Sequence, residues 1–193
     1  MRVGIAVRAL NDAPHCGDMC RYWQHGRMIT ICVVDGLGHG VYAERAAQAA
    51  VNYVSRHLTA PLADIFAGCD QALRRTRGVA MGLAVIDEAA EALSYAGIGN
   101  PRAIVVGEGI SRLRNDYGIV GSGYSALSAE TISFRRGDLI ILATDGVVET
   151  VDLSTYDTTE PCDEQQLANR ILRDWRRDTD DDAVLVGRSE GGI

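Results

Sequence analysis

The stretch "ICVVDGLGHG", residues 31–40, runs from an apolar segment, Ile31 to Val34, through Asp35 into three glycines. Gly-rich turns that follow strands commonly receive phosphates on their backbone N–H groups. A carboxylate at the mouth of such a turn repels a phosphate unless positive charge sits between them. The same arrangement recurs in "LIILATDGVVE", where Ile140 to Ala143 lead through Thr144 to Asp145 and Gly146. "PHCGDM" sets Asp18 after Gly17, beyond the first apolar run, and "DTDDDAVLV" sets Asp180, Asp181 and Asp182 directly before the last one. A single Asp-Gly is most often a turn, and a single Asp before a helix is most often a cap. Four strand edges that all carry aspartate are harder to explain in that way. Strand ends along one edge of a sandwich converge, and carboxylates gathered there repel one another. A hard divalent cation relieves the repulsion, and an oxygen-rich site suits Mg²⁺ or Mn²⁺. In this reading Asp35 binds the metal and the metal meets the phosphate. Gly36 lets the backbone turn tightly enough for its carbonyl to face a metal as well.

Outward from these motifs, strand-like runs rich in Val and Ile fall at 3–10, 28–35, 79–87, 91–98, 101–107, 110–114, 129–135, 138–144 and 183–188. Apolar positions recur at helical spacing over 41–58, over 62–76 behind Pro61, and over about 164–177. The order is strands, two consecutive helices, a long run of strands, one helix and a last strand. That order lacks the strict alternation of a doubly wound parallel sheet and predicts an α+β layered sandwich, with antiparallel sheets and helices outside.

The chain has 193 residues, enough for one well-buried domain. Its net charge of −7 argues against a nucleic-acid footprint or an anionic membrane surface as partner. No apolar run approaches the roughly 18 residues of a spanning helix, and the N-terminus reads as a first strand. Five cysteines, Cys16, Cys20, Cys32, Cys69 and Cys162, are too sparse for a disulfide scaffold and predict reduced thiols in a cytoplasmic protein.

"CGDMCRYW", "ICVVDGLGHG", "SYAGIGNPRAIV", "FRRGDLIILATDGVVET" and "DDAVLV", in that order, resemble the PP2C-type metal-dependent serine/threonine phosphatases. Within them the chain is most similar to the bacterial SpoIIE-like branch, and the resemblance covers nearly its whole length. It implies a four-layer α-β-β-α sandwich of two mainly antiparallel sheets flanked by helices. It also implies a single catalytic domain over residues 1–193 with no separate regulatory domain, like the stand-alone feedback phosphatases of the stressosome. The family's roles fall here on Asp35 as a bridge between two ions, Mn²⁺ or Mg²⁺, with the Gly36 carbonyl on one of them. Asp18 would hold one ion directly or through water, and Asp145 and Asp181 would hold the other, with Asp182 in support. Three consecutive aspartates leave that last register open by one residue. Two metals about 4 Å apart share a water, lower its pKa and orient it for in-line attack on phosphorus, so Asp35 and Asp18 carry the catalysis and no cysteine does. The implied substrate is phosphoserine or phosphothreonine on a bacterial regulatory protein, a stressosome scaffold subunit. A catalytically weak binding module of the same fold and a metal-dependent hydrolase of small phosphate esters are the competing readings.

The sequence departs from the family pattern at Cys16 and Val184, neither of which removes a metal oxygen, and at Leu37, where eukaryotic relatives place a histidine that is a candidate general acid. His39, two residues beyond Leu37, is a candidate acid or a plain loop histidine. Arg8, Arg21 and Arg27 are the candidates for holding substrate phosphate, and sequence does not choose among them. His15, Cys16, Cys20 and His25 could in principle bind zinc, but their spacing fits no ordinary finger. "LRRTR", residues 73–77, reads as the solvated end of a helix. The segment "NDYGIVGSGYSALS" reads either as a flexible turn or as a docking loop that offers Tyr117 and Tyr124.

Overall fold

Period-two alternation along the strands and helical stripes outside them sort the apolar residues into three buried layers. The computed structural model describes residues 1–147, 163–177 and 179–190, so Cys162 lies outside the described residues. One sheet joins β10 (Glu130–Ser133), β5 (Ala92–Ile98), β4 (Val79–Asp87), β3 (Met28–Gly36) and β2 (Asp18–His25), in that order. The other joins β1 (Arg2–Arg8), β12 (Asp182–Arg188), β11 (Leu139–Ala143), β6 (Arg102–Val106) and β7 (Ile110–Arg112). Every strand pairing within the two sheets is antiparallel. Helices α1 (Val41–Ser55) and α2 (Leu62–Leu73) cover the first sheet, and α3 (Glu164–Trp175) covers the second. The expected α-β-β-α order of layers is the one observed.

Ile29, Ile31 and Val33 of β3 enter the layer between the sheets beside Cys20 of β2, while Cys32 and Val34 point to α1 and α2. On β12, Ala183 and Leu185 enter the same inner layer, and Val184 and Val186 lie under Leu167 and Ile171 of α3. Strands buried on both faces read as continuous apolar runs, which is why these two were plain in the sequence. The free edge of β1 is covered by a side chain of α3. The Ile5 N–H donates to Gln165 Oε1 at 3.0 Å, and Gln165 Nε2 donates to the Ile5 carbonyl at 2.6 Å, as a neighbouring strand would.

The strand β2 was not foreseen. It forms the edge of its sheet, and Arg21, Tyr22, Gln24 and His25 are exposed on it, so no apolar signal marks it. All three helices stop two or three residues before the ends of the ranges that the sequence predicts for them. At the end of α2 the Thr76 hydroxyl donates to the Leu73 carbonyl at 2.7 Å and accepts from the Gly78 N–H at 3.0 Å, which turns the chain into β4. Beyond α3, Arg176 and Arg177 leave the helix to pair with Val147 and Gly146. The segment with the two tyrosines forms a small hairpin, β8 (Gly118–Ile119) with β9 (Gly123–Tyr124). Tyr124 packs edge-on against Phe66 of α2 with ring centroids 6.5 Å apart, so it serves packing, whereas Tyr117 is 93% exposed.

Gly36 is required for a reason other than the tight turn read from sequence. Its φ is not in the left-handed region, but a Cβ there would stand 2.2 Å from the Ala43 carbonyl oxygen of α1. Replacing Gly36 with Ala should therefore destabilise the fold by about 1–3 kcal/mol, read as a lower urea midpoint. Gly109→Ala, where a Cβ meets nothing within 4 Å, should stay within about 0.5 kcal/mol of the parent. Equal midpoints for the two variants would contradict this account of Gly36.

Candidate metal centre

The rows of side chains that fill the inner layer end in oxygen. Ile29, Ile31 and Val33 are followed two residues later by Asp35, and Cys20 is preceded two residues earlier by Asp18. Leu185 and Ala183 are likewise preceded by Asp181, and Ile140 and Leu142 are followed by Thr144. Strand periodicity alone thus carries three carboxylates and a hydroxyl to one end of the inter-sheet layer. Asp18 and Asp35 are direct partners across the β2–β3 pairing. Asp145 follows Thr144, and its Oδ2 accepts from Asn100 Nδ2 at 2.6 Å.

Asp18 and Asp181 are buried, at 3% and 2% exposure. Both oxygens of Asp181 accept backbone N–H groups, Leu10 at 2.7 Å and Gly17 at 2.6 Å, and this ties the β1–β2 connection to the start of β12. The Thr144 hydroxyl accepts the Ala183 N–H at 2.9 Å and fixes β11 against β12 where both end. Gly36 N–H donates to the Gly17 carbonyl at 3.0 Å, and the Gly36 carbonyl oxygen lies beside Gly17 and the Asp181 carboxylate.

The charges are mutually unfavourable. Burial first, then repulsion from Asp35, pushes the Asp18 carboxyl up to about 9. Burial, then the charges of Asp145, Asp180 and Asp181, push Asp35 up to about 7, with the Asn100 hydrogen bond pulling the other way. Asp180 is also raised, by burial first, while its backbone bond from Asp181 and the nearby His39 oppose the shift.

Among the described residues no group of three or more His, Cys, Asp or Glu side chains is already closed up as a cage for a metal ion. What stands here is an acidic cleft between the strand ends, with Asp18 and Asp181 buried in it and Asp35 and Asp145 half-buried. Its donor set fits a hard divalent cation on two grounds. Asp18 Oδ2 is buried without a hydrogen-bond partner, and the charges that act most on Asp18 and Asp35 are those of other carboxylates. The residues able to supply oxygen to such an ion are Asp18, Asp35, Asp145, Asp181 and the Gly36 carbonyl. Asp182 follows the parity of Val184 and faces away from the inner layer, where its Oδ1 abuts Gly146.

The other sequence candidates fall as follows. His39 is exposed in the loop before α1, near Asp180. Arg27 lies in the hairpin at the far end of β3, eight residues and roughly 25 Å from Asp35. Arg21 is on the exposed face of β2 and donates to the Cys20 carbonyl. Arg8 pairs with Asp12 at 3.2 Å and, with Arg176 and Arg177, lines a cavity of about 40 Å³ that Asp180 and Asp182 also border. The four zinc candidates do not converge. His15 Nδ1 lies 2.7 Å from Glu44 Oε2, Cys20 is buried between the sheets and His25 is exposed at the other end of β2. Burial pushes the thiols of Cys16 and Cys69 up to about 12 and raises Cys20 and Cys32 as well, so these four are poor nucleophiles at neutral pH. Two residues of the cleft, Asn100 and Thr144, carry no local signal of a role, and Asp180 joins it beside Asp181. Asn100 sits inside "SYAGIGNPRAIV", but a lone Asn after a strand reads as a turn, and only the fold brings it to Asp145.

Among the described residues no helix is long and apolar enough to cross a membrane. The layers and their connections are those of the PP2C-type phosphatases. RsbX in complex with magnesium superposes with a TM-score of 0.83 at 20% identity, over 95% of this chain and 92% of that one. A chain solved in work on the bacterial stressosome as a modular system adapted to control secondary messenger signalling superposes with a TM-score of 0.93 at 30% identity, over 97% of this chain and 98% of that one. Residues 25–187 match the SpoIIE (stage II sporulation protein E) family, and the chain belongs to it. The phosphoserine phosphatase RsbX of Bacillus subtilis (strain 168) is 26% identical over 140 residues, 68% of this chain and 67% of that protein.

The raised carboxyls set a pH dependence. Between the ordinary carboxylate value and their folded values, Asp18 and Asp35 keep protons in the folded protein that the unfolded chain has lost. That difference lowers stability as pH rises. In EDTA the urea midpoint should therefore fall from about pH 4 to about pH 9, and Asp18→Asn should remove much of the slope. A midpoint independent of pH across that window would contradict the crowding of these groups.

Proposed function

We propose that this chain is a metal-dependent protein phosphatase that hydrolyses phosphoserine or phosphothreonine on a regulatory protein of a stressosome-type assembly. The observation that carries the proposal is the convergence of Asp18, Asp35, Asp145 and Asp181 from separate strand ends of both sheets on one cleft. Membership of the SpoIIE family and likeness to a phosphoserine phosphatase and to a chain solved in work on the stressosome support the substrate class. Mn²⁺ or Mg²⁺, as a pair of ions, would supply a water of lowered pKa and neutralise charge on the phosphoryl oxygens.

The chain's own residues prepare that site. Asp35 pairs with Asp18 on the β2 side and feels the charge of Asp145 on the β11 side, which supports reading it as the carboxylate that would hold both ions. Asn100 holds the Asp145 carboxylate by a hydrogen bond and orients it. The backbone N–H groups of Leu10 and Gly17 hold the Asp181 carboxylate and keep the lip of the cleft in place. Thr144 keeps the ends of β11 and β12 in register. Asp182 acts in support from behind Gly146, and His39 stands at the rim as a candidate proton donor. Retention of every carboxylate that the family motifs call for argues for turnover over a binding-only role.

Replacing Asp35 with Asn should lower turnover of a phosphoserine protein by on the order of 10²–10³-fold without unfolding the chain. EDTA should stop the parent enzyme, and Mn²⁺ should restore it. Joint replacement of Cys16, Cys20, Cys32, Cys69 and Cys162 should preserve the reaction where packing survives. Activity that resists chelation and is lost on alkylation would overturn the proposal in favour of a thiol enzyme.

A further inference from the structure

The arginines of "LRRTR" do more than end a helix. At the end of α2 the chain turns back so that the Leu37 N–H donates to the Gly78 carbonyl at 3.1 Å. Arg77 is thereby laid beside the loop that leads from Asp35 and Gly36 into α1. A Cβ at Gly38 would stand 2.9 Å from Arg77 Nη1, and Gly38, with φ +82°, takes a backbone conformation that glycine favours. The guanidinium of Arg77 stacks over the Tyr42 ring at 5.2 Å from its centroid, and that of Arg45 lies at 5.9 Å. Tyr42 is nevertheless 59% exposed, and Leu37, in the loop that leads to it, is 40% exposed. Arg74 and Arg75, on the same connection, are exposed too. The nearest acids on these elements are engaged elsewhere, Glu44 with His15 and Asp70 with the Gly121 N–H.

A chain of net charge −7 thus presents an exposed aromatic ring within 5.9 Å of two guanidiniums, at the start of the helix that follows the Asp35–Gly36 loop. Tyr and Arg are the residues that most often anchor protein interfaces, and a ring already fixed by its neighbours loses little freedom on binding. Like-charge repulsion from the cleft would drive an acidic segment away unless positive charge met it at the rim. We propose that Tyr42, Arg45 and Arg77 form a docking surface for an acidic segment flanking the phosphorylated residue of the protein substrate. This inference rests on the phosphatase reading for the word substrate, but its geometry is independent of turnover. A nucleic acid is the less favoured occupant, because its charge density faces the net negative charge of the whole chain.

The test uses the full chain carrying Asp35→Asn, so that binding is measured without hydrolysis. The probe is a fluorescent phosphoserine peptide with glutamates on both flanks, read by anisotropy against the same peptide with serines on the flanks. The acidic peptide should bind more tightly, and the combination of Arg45→Gln with Arg77→Gln should weaken it by about tenfold and abolish the preference. Tyr42→Phe should retain binding and Tyr42→Ala should lose it, and the acidic preference should vanish in 1 M NaCl. Thermal melts of each variant check the fold. Equal binding of both peptides, or no loss in the paired arginine variant, would overturn the proposal. So would tighter binding of a single-stranded RNA oligonucleotide that the same variant loses. Hydrolysis of p-nitrophenyl phosphate by the parent chain with Mn²⁺ reports separately on the metal cleft. Acidic-peptide docking without any hydrolysis would keep the surface and remove the phosphatase reading.

Discussion

Two carboxylates stand opposite each other across neighbouring strands, Asp18 on β2 and Asp35 on β3, where like charges are ordinarily destabilising. Much of the architecture is arranged around that conflict. The pair sits where the inter-sheet layer ends, so burial adds to the repulsion and lifts both carboxyls well above the usual range. An arrangement of this kind persists when its unfavourable field serves something else. In the proposed reading that field would draw a hard cation to the strand ends where both sheets deliver oxygen.

The rest of the fold holds the acids together against their own charge. The Asp181 carboxylate is fastened to two backbone N–H groups, Asp145 to Asn100, and the ends of β11 and β12 to each other through Thr144. Gly36 lets α1 come down on the end of β3, and the buried pair between Glu164 and Arg188, 2.7 Å apart, joins α3 to β12 at the opposite end of that strand. The same strands are buried on both faces, which makes the frame stiff enough to carry crowded acids.

How much of this was legible in the sequence follows from which physical signals are local. The inner strands β3, β11 and β12 and the three helical stripes announced themselves through apolar periodicity, and with them the layer order. Asp35, Asp145 and Asp181 were legible because each ends or precedes such a run. The edge strand β2 was not, because half of it faces water, and so the pairing of Asp18 with Asp35 could be guessed only as convergence. Asn100, Thr144 and Asp180 gain meaning from contacts across the fold that no local pattern encodes. The reason Gly36 must be glycine was misread for the same cause: its neighbour in space is Ala43, seven residues away on another element. Arg77 is the clearest case, since a helix-end arginine and one that frames an exposed tyrosine beside the cleft look alike in sequence.

The central claim is that the converging aspartates are a metal centre. Crystals of the full chain soaked in Mn²⁺, with diffraction collected at the manganese edge, test it most directly. The account predicts anomalous peaks in the cleft, at roughly 2.1 Å or one water from oxygens of Asp18, Asp35, Asp145, Asp181 and the Gly36 carbonyl. Peaks confined to other parts of the surface, with these carboxylates unmoved, would contradict it.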